Sequence, residues 1–286
     1  MARDTAGQRA VGVAGAEIVE GGAVRLSVIM ITKNEARRIE ASLASVAFAD
    51  EIVVVDSDSS DGTVELARQH GARVTVTSDW PGFGRQKQRA LDAARGRWVL
   101  CLDADEVVDA ALAQAIQAIV RLPDAASDAL PAYECARMSA FCGQWMRASG
   151  WYPDRTVRLV QRGHARFSSD LVHEQLIVEG AVGRLDGLLL HDSIPDLSNA
   201  IDKMNRYSSG RALDLLAAGR RGGLGSALAH GLWAFVRTFV LRRGFLDGRL
   251  GLVLAIHNAE TTYYRYLKMW LGNAPRTPPP PPTRSP

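Results

Sequence analysis

The feature that most constrains this chain is a succession of short apolar runs separated by helix-like stretches, beginning at Arg25. Leu26 to Ile31 (LSVIMI), Glu51 to Val55 (EIVVV), Arg73 to Thr77 (RVTVT) and Trp98 to Leu102 (WVLCL) are short, largely apolar on both faces and rich in Val and Ile. Strands of that kind are covered on both sides, as parallel strands are. The intervening stretches 35–46, 62–70 and 83–95 suit crossover helices. Strand, helix and strand at a spacing of about 25 residues predicts an α/β sheet of right-handed crossovers. Ligands of such sheets bind beyond the carboxyl ends of the strands, so the residues directly after each run are the first candidates for chemistry.

Beyond Pro123 the alternation breaks down. Ala132 to Met138 and Thr156 to Gln161 predict strands, and 143–154 (GQWMRASGWYPD) predicts a loop. The pattern turns helical from Asp196 to Gly272. The expected organisation is a disordered extension over 1–24, an α/β domain over 25–195, a helical basic region over 196–273 and a disordered Pro-rich tail over 274–286. Seven of the twelve prolines lie in the last twelve residues, which favours extended or polyproline conformations. The first residues lack the continuous apolar core of a secretory signal, so export is not expected.

Charge matters through its distribution. The formal total over 286 residues is only +3, which excludes the basic field of a nucleic-acid binder. Lys203 to Arg276, however, holds twelve Lys and Arg against three acids, Asp214, Asp247 and Glu260. Leu224, Leu228, Leu232, Phe235, Val236, Phe239 and Val240 fall on one helical face, with Arg237 almost opposite. An apolar stripe beside basic residues predicts a helix lying in the interface of an anionic membrane, with packing on the α/β domain or on a dimer partner as the alternative. The stretch 223–241 is interrupted only by Arg237, so a spanning helix is a further, less favoured reading. Cys101, Cys135 and Cys142 are too few and too irregularly spaced for a disulfide framework or a zinc site, which suits a reducing compartment.

Three strand ends carry polar residues. The first reads Ile31-Thr32-Lys33-Asn34-Glu35, with no glycine, which removes the phosphate-binding turn of dinucleotide folds and P-loops. Thr32 or Asn34 can also simply cap a helix there. The second reads Asp56-Ser57-Asp58-Ser59-Ser60-Asp61-Gly62-Thr63, where a carboxylate at the strand end can accept a hydrogen bond from a base or ribose. Asp56 and Asp58 also admit a phosphatase reading with an aspartate nucleophile. The fourth strand runs into Asp103-Ala104-Asp105-Glu106. Three carboxylates so close repel one another unless a cation compensates. A hard divalent ion that keeps positions open for substrate phosphates is the natural partner, Mg²⁺ or Mn²⁺.

Together SVIMITKNE (27–35), EIVVVDSDSSDGT (51–63), PGFGRQKQRAL (81–91) and WVLCLDADE (98–106) resemble the inverting nucleotide-sugar transferases of glycosyltransferase family 2, with the GT-A fold. Within that family, WYPDRTVRLV (151–160), VHEQL (172–176) and LRRGFLDGRLG (241–251) make the chain most similar to the lipopolysaccharide core β-1,4-glucosyltransferase group. The resemblance implies a GT-A, Rossmann-like and mostly parallel sheet with flanking helices over 25–195, followed by the helical, membrane-associating segment. It implies that Thr32, Asn34, Glu35 and Asp56 line the nucleotide pocket, and that Lys87, with Arg85, reaches the ribose or diphosphate. Asp103 would touch the nucleotide or its metal, Asp105 would bind the metal directly, and His191 would be a third ligand. Glu174 would be the catalytic base and His173 its neighbour on the acceptor side. Trp151, Tyr152, Arg155 and Arg158 would form a sugar platform and an anionic clamp. One departure is Asp58, where the family commonly has a small residue.

The expected activity is therefore metal-dependent, inverting transfer of a hexose, glucose from UDP-glucose, to an inner-core heptose of lipopolysaccharide. The acceptor would be lipid-linked and met at the cytoplasmic face of the inner membrane. The alternatives at this level are the Asp56/Asp58 phosphatase and a non-catalytic, membrane-bound nucleotide-binding module.

Overall fold

A computed structural model describes residues 24–123, 130–168 and 174–273. Residues 1–23 of the expected extension over 1–24, the tail over 274–286 and His173 lie outside the described residues. Four strands and three helices alternate as the apolar runs predict: β1 (Leu26–Thr32), α1 (Ile39–Ser45), β2 (Glu51–Asp56), α2 (Thr63–Gln69), β3 (Arg73–Val76), α3 (Phe83–Ala93) and β4 (Trp98–Cys101). They are followed by β5 (Glu106–Val108), α4 (Ala110–Val120), β6 (Ala132–Phe141), β7 (Gln144–Trp145), β8 (Asp154–Gln161), β9 (Ala165–Phe167), β10 (Leu176–Val178) and β11 (Val182–Ile194). The large sheet has the order β3-β2-β1-β4-β8-β6-β11-β5, with β7 paired to β6, while β9 and β10 form a separate ribbon.

Pairing is parallel from β3 to β4. Beyond β4 the sheet is mixed: β8 runs antiparallel to both β4 and β6, and β11 is parallel to β6 but antiparallel to β5. The first half has the parallel character read from the sequence, and the second does not. Alternate residues of the early strands enter two cores. Leu26, Val28, Met30, Val54, Trp98 and Leu100 pack in one, and Ile29, Val53, Val55, Val99 and Cys101 in the other. Burial on both faces is why β1, β2 and β4 are continuously apolar, and each such side chain contributes roughly 1.5–3 kcal/mol; β3, expected to be covered as well, is instead a largely exposed edge strand.

Glu51 ties the lower ends of these strands together. Its carboxylate accepts from Ser27 Oγ at 2.5 Å, Arg95 Nε at 2.7 Å and Arg73 at 2.9 Å. Burial opposes ionisation, but these donors outweigh it and hold the carboxyl down to about 2. A depressed folded-state value adds stability above the ordinary carboxylate range that is lost as pH falls towards 2. The melting-temperature gap between the parent and Glu51→Gln should therefore be full at pH 6 and close steadily between pH 4.5 and 2; a gap that is unchanged over that range would contradict it.

The helical segment comprises α5 (Leu197–Ala217), α6 (Leu224–Val236), which continues as a π-helical turn to Leu241, a 3₁₀ turn at Gly244–Asp247, and α7 (Gly248–Asn273). It is joined to the sheet by a third core, in which Leu254 and Ala200 pack with Phe141, Met146 and Ile194. Asp247 adds a polar anchor by accepting from the backbone N–H groups of Arg147 and Ala148 and from Ser149 Oγ.

Candidate active site

The carboxyl ends of β1, β2, β3, β4 and β11 open onto one cavity of about 920 Å³. Thr32, Glu35, Lys87, Asp103, Asp105, Glu174 and His191 all line it. Two polar groupings emerge. In the first, Lys87 Nζ lies 2.9 Å from Asp103 Oδ1 and 3.0 Å from Glu174 Oε1, so the α3 lysine bridges the β4 strand end to the residue expected as base. In the second, a single oxygen, Asp105 Oδ2, lies 3.4 Å from His191 Nε2 and 3.4 Å from an Arg38 guanidinium nitrogen. Ser139 Oγ is 3.1 Å from His191 Nδ1, which orients the ring.

The acidic triplet is split by what lies beneath it. Arg158 is buried and reaches Asp103 at 2.9 Å and Glu106 at 2.5 Å. Burial alone would raise the Asp103 carboxyl, but Arg158 and Lys87 hold it well below the usual range. Burial likewise opposes the Lys87 ammonium, and Asp103 and Glu174 more than restore it. Glu106 points into the interior and Asp105 towards His191. Arg158 thus serves two of the carboxylates and Arg38 and His191 the third, partners that cannot be read from spacing.

Several of the expected residues are engaged within the protein. Asp103 pairs with Lys87 and Arg158 through its two oxygens, while Asp105 pairs with Arg38 and His191. Arg158 supports Asp103 from within and is no acceptor clamp. Asp56 is 0% exposed and its carboxylate accepts from Thr32 Oγ1 and from both the N–H and Oγ of Ser59, so it organises the turn behind the cavity wall. An enclosed carboxylate with all these donors cannot act as a phosphatase nucleophile. Asn34 clips two loops together, donating from its N–H to Ser59 Oγ and accepting from Ser60 N–H. Trp151 packs edge-on against Phe141 in the third core, with ring centres 5.9 Å apart. Arg155 lies 3.8 Å from Glu134 and is not among the cavity-lining residues.

Asp58, the departure from the family pattern, has φ +61. Aspartate tolerates that left-handed region better than most residues, and the Lys33 ammonium fixes the turn by donating to the Ser57 and Asp58 carbonyls. Residues not anticipated from the sequence complete the lining: Trp80 and Phe83 in an edge-on pair 4.9 Å apart, Arg137, and Lys203, Arg206 and Tyr207 of α5. The strand-end rule could not find the α5 residues, which lie far along the chain.

Asp105 and His191 suit a divalent ion that keeps most of its coordination for phosphate and water. Among the described residues there is no group of three His, Cys, Asp or Glu able to hold a metal. The donor set therefore fits a two-ligand site, not a closed protein cage.

Gly84 controls how Glu174 approaches. A Cβ at this position would lie 2.0 Å from the Ser168 carbonyl oxygen and 3.3 Å from Glu174 Cβ. If Glu174 is the base that the family resemblance implies, Gly84→Ala should shift its backbone and reduce kcat by roughly 100-fold, as a shift of about 1 Å in a reacting group does. Turnover at saturating substrate checks this, with melting temperature as the folding control; parental kcat would contradict it.

A mixed sheet with a parallel first half and a ligand-sized cleft across its strand ends defines a GT-A-type α/β protein. The glycosyl transferase family 2 model matches residues 27–160. An uncharacterized glycosyltransferase of Rickettsia bellii is 30% identical over 256 residues, 86% of each chain. The lipopolysaccharide core biosynthesis glycosyltransferase LpsC of Rhizobium meliloti is 29% identical over 259 residues, covering 84% of this chain and 93% of that one. The chain belongs to glycosyltransferase family 2 and is a glycosyltransferase.

Proposed function

We propose that this enzyme transfers a hexose, glucose from UDP-glucose, with inversion onto an inner-core sugar of lipopolysaccharide, a heptose. The likeness to LpsC supports the acceptor class. The observation that carries the chemistry is Glu174 held by Lys87 beside Asp103, in the same cleft as Asp105 and His191.

In this reading the nucleotide lies along the β1 to β4 strand ends, its base on the side of Trp80 and Phe83. The acceptor hydroxyl attacks the anomeric carbon, the new C–O bond forms as the bond to the diphosphate breaks, and Glu174 takes the hydroxyl proton. Lys87 orients that carboxylate and places positive charge near the diphosphate. Arg158 keeps Asp103 ionised beneath them. Asp105 and His191 would hold Mg²⁺ or Mn²⁺, which supplies Lewis-acid charge to the leaving group when bound.

The helical segment is the membrane contact in this reading. α6 turns its small residues, Ala227 and Gly231, inward, with Gly231 close to Tyr263 of α7. Its leucines face outward, and Leu232 is 67% exposed. Leu224–Leu241 is long and apolar enough to cross a membrane, yet only 17% of it is buried. Between residues 215 and 259 there are six arginines, and the one carboxylate, Asp247, is buried. An exposed apolar face of this kind, rimmed by arginine, suits peripheral docking on an anionic cytoplasmic leaflet. Flotation with vesicles containing phosphatidylglycerol should recover the parent, and Leu228→Asp combined with Leu232→Asp should stay in the soluble fraction. Equal flotation of both would refute the contact.

The transferase reading is tested with purified protein, Mn²⁺ or Mg²⁺, a panel of nucleotide sugars and extracted core acceptor. Acceptor-dependent release of nucleotide is expected from UDP-glucose above the other donors. No release from any donor by folded protein would overturn the reading.

A further inference from the structure

The cleft has a cationic wall that the proposed mechanism leaves unused. Lys203 and Arg206 sit three residues apart on α5, with Tyr207 beside them, so all three project from one helical face, and all three line the cavity. The start of α5 is fixed by Asp196, which accepts from Asn199 N–H at 2.8 Å. Lys203 Nζ donates to the Ser193 carbonyl at 2.5 Å, which holds the ammonium against the end of β11.

These charges are poorly compensated. Arg206 makes no hydrogen bond or ion pair with any described residue. Burial lowers the Lys203 pKa, and Arg38 and Arg206 repel its charge while Asp105 and Glu35 attract it. The attraction is divided: Asp105 already serves Arg38 and His191 through one oxygen. Burial also raises the Glu35 carboxyl above its usual range, with Arg38 opposing, which weakens the other nearby anion. An arriving oxyanion would relieve the repulsion between Lys203 and Arg206 and accept charge-assisted hydrogen bonds from both.

We infer that Lys203 and Arg206 form a seat for a phosphate-type oxyanion, so that the C-terminal helical segment completes the catalytic cleft. The inference rests on the reading of this cleft as a nucleotide-sugar site. Two sources carry that chemistry: the diphosphate of the donor, or a phosphate on the acceptor sugar next to the hydroxyl that reacts. In either case α5 joins the exposed α6 surface to the reacting groups. The segment then has a role in substrate binding in addition to membrane contact.

Calorimetric titration of UDP and of uridine, with Mg²⁺ present, into the parent, Arg206→Gln and the double variant Lys203→Gln/Arg206→Gln tests the seat. Arg206 is exposed and unpartnered among the described residues, so its variant should fold as the parent does. If the donor supplies the oxyanion, UDP binds about tenfold more weakly to the double variant, uridine affinity is unchanged, and Lys203→Arg retains UDP binding. If the acceptor supplies it, UDP affinity is parental, and the KM for phosphorylated acceptor rises about tenfold while that for phosphatase-treated acceptor does not. UDP affinity within twofold of the parent together with an unchanged acceptor KM overturns the seat. A parent that binds UDP through these residues but transfers no glucose from UDP-glucose leaves the seat standing and removes the proposed donor and acceptor reading, so the two failures are distinguishable.

Discussion

Glu174→Gln is expected to reduce sugar transfer by about 10²–10⁴-fold while leaving UDP affinity within about twofold of the parent. Glutamine keeps the size of the side chain and an oxygen that can accept from Lys87, which lies 3.0 Å from Glu174. What it loses is the ability to take a proton from the acceptor. The loss should appear in kcat at saturating donor and acceptor, and titration of UDP should show the cleft intact. Parental turnover would place the base elsewhere. A large loss of UDP affinity would mean that Glu174 acts through Lys87 on the nucleotide and not on the acceptor.

Arg158→Met should be the most destabilising single change in the cleft, at about 3–5 kcal/mol. The guanidinium is buried between Asp103 and Glu106, and Glu106 is fully buried. Arg137 also approaches Glu106, at 3.4 Å, but it lies closer to Asp154, at 2.6 Å. Removing Arg158 therefore leaves two carboxylates with one good cation, Lys87, that reaches only Asp103. Urea denaturation measures the loss. Adding Glu106→Leu removes the stranded interior charge and should recover much of the stability, because a buried ion pair can be replaced by apolar groups at little cost. Activity should not return, since Asp103 still lacks its support. Recovery of both properties would show that Arg158 serves the fold alone.

β1, β2 and β4 were legible because both their faces are buried. Val28 and Val54 enter one core and Ile29 and Val53 the other, so almost every residue of these runs had to be apolar. The later strands carried weaker signals. β11 mixes polar and apolar residues and breaks register between Arg184 and Leu188. At that break Gly187 has φ +96, and a Cβ there would lie 2.1 Å from the Leu112 backbone nitrogen. β5 has only three residues, too few to show a period.

The site was legible to the extent that it follows strand ends. Glu35, Asp103, Asp105 and His191 reach the cavity for that reason, and Glu174 and Lys87 through the motifs resembling the family. Partners brought together by tertiary structure were not legible. Nothing in the local sequence shows that Arg158 lies under Asp103, that Asp56 is enclosed by Thr32 and Ser59, or that α5 returns Lys203 and Arg206 to the cleft. Arginines and tryptophans near a glycan site suggest a clamp and a platform. Burial decided otherwise for Arg158, and Trp151 is half-buried against Phe141.

The anomeric configuration of the product tests the central claim most directly, because the proposed chemistry places Glu174 as a base acting on the acceptor in a single displacement. Proton NMR of the purified product made from α-linked UDP-glucose should show the large anomeric coupling of a β-glucoside. An α-linked product would contradict in-line attack assisted by Glu174.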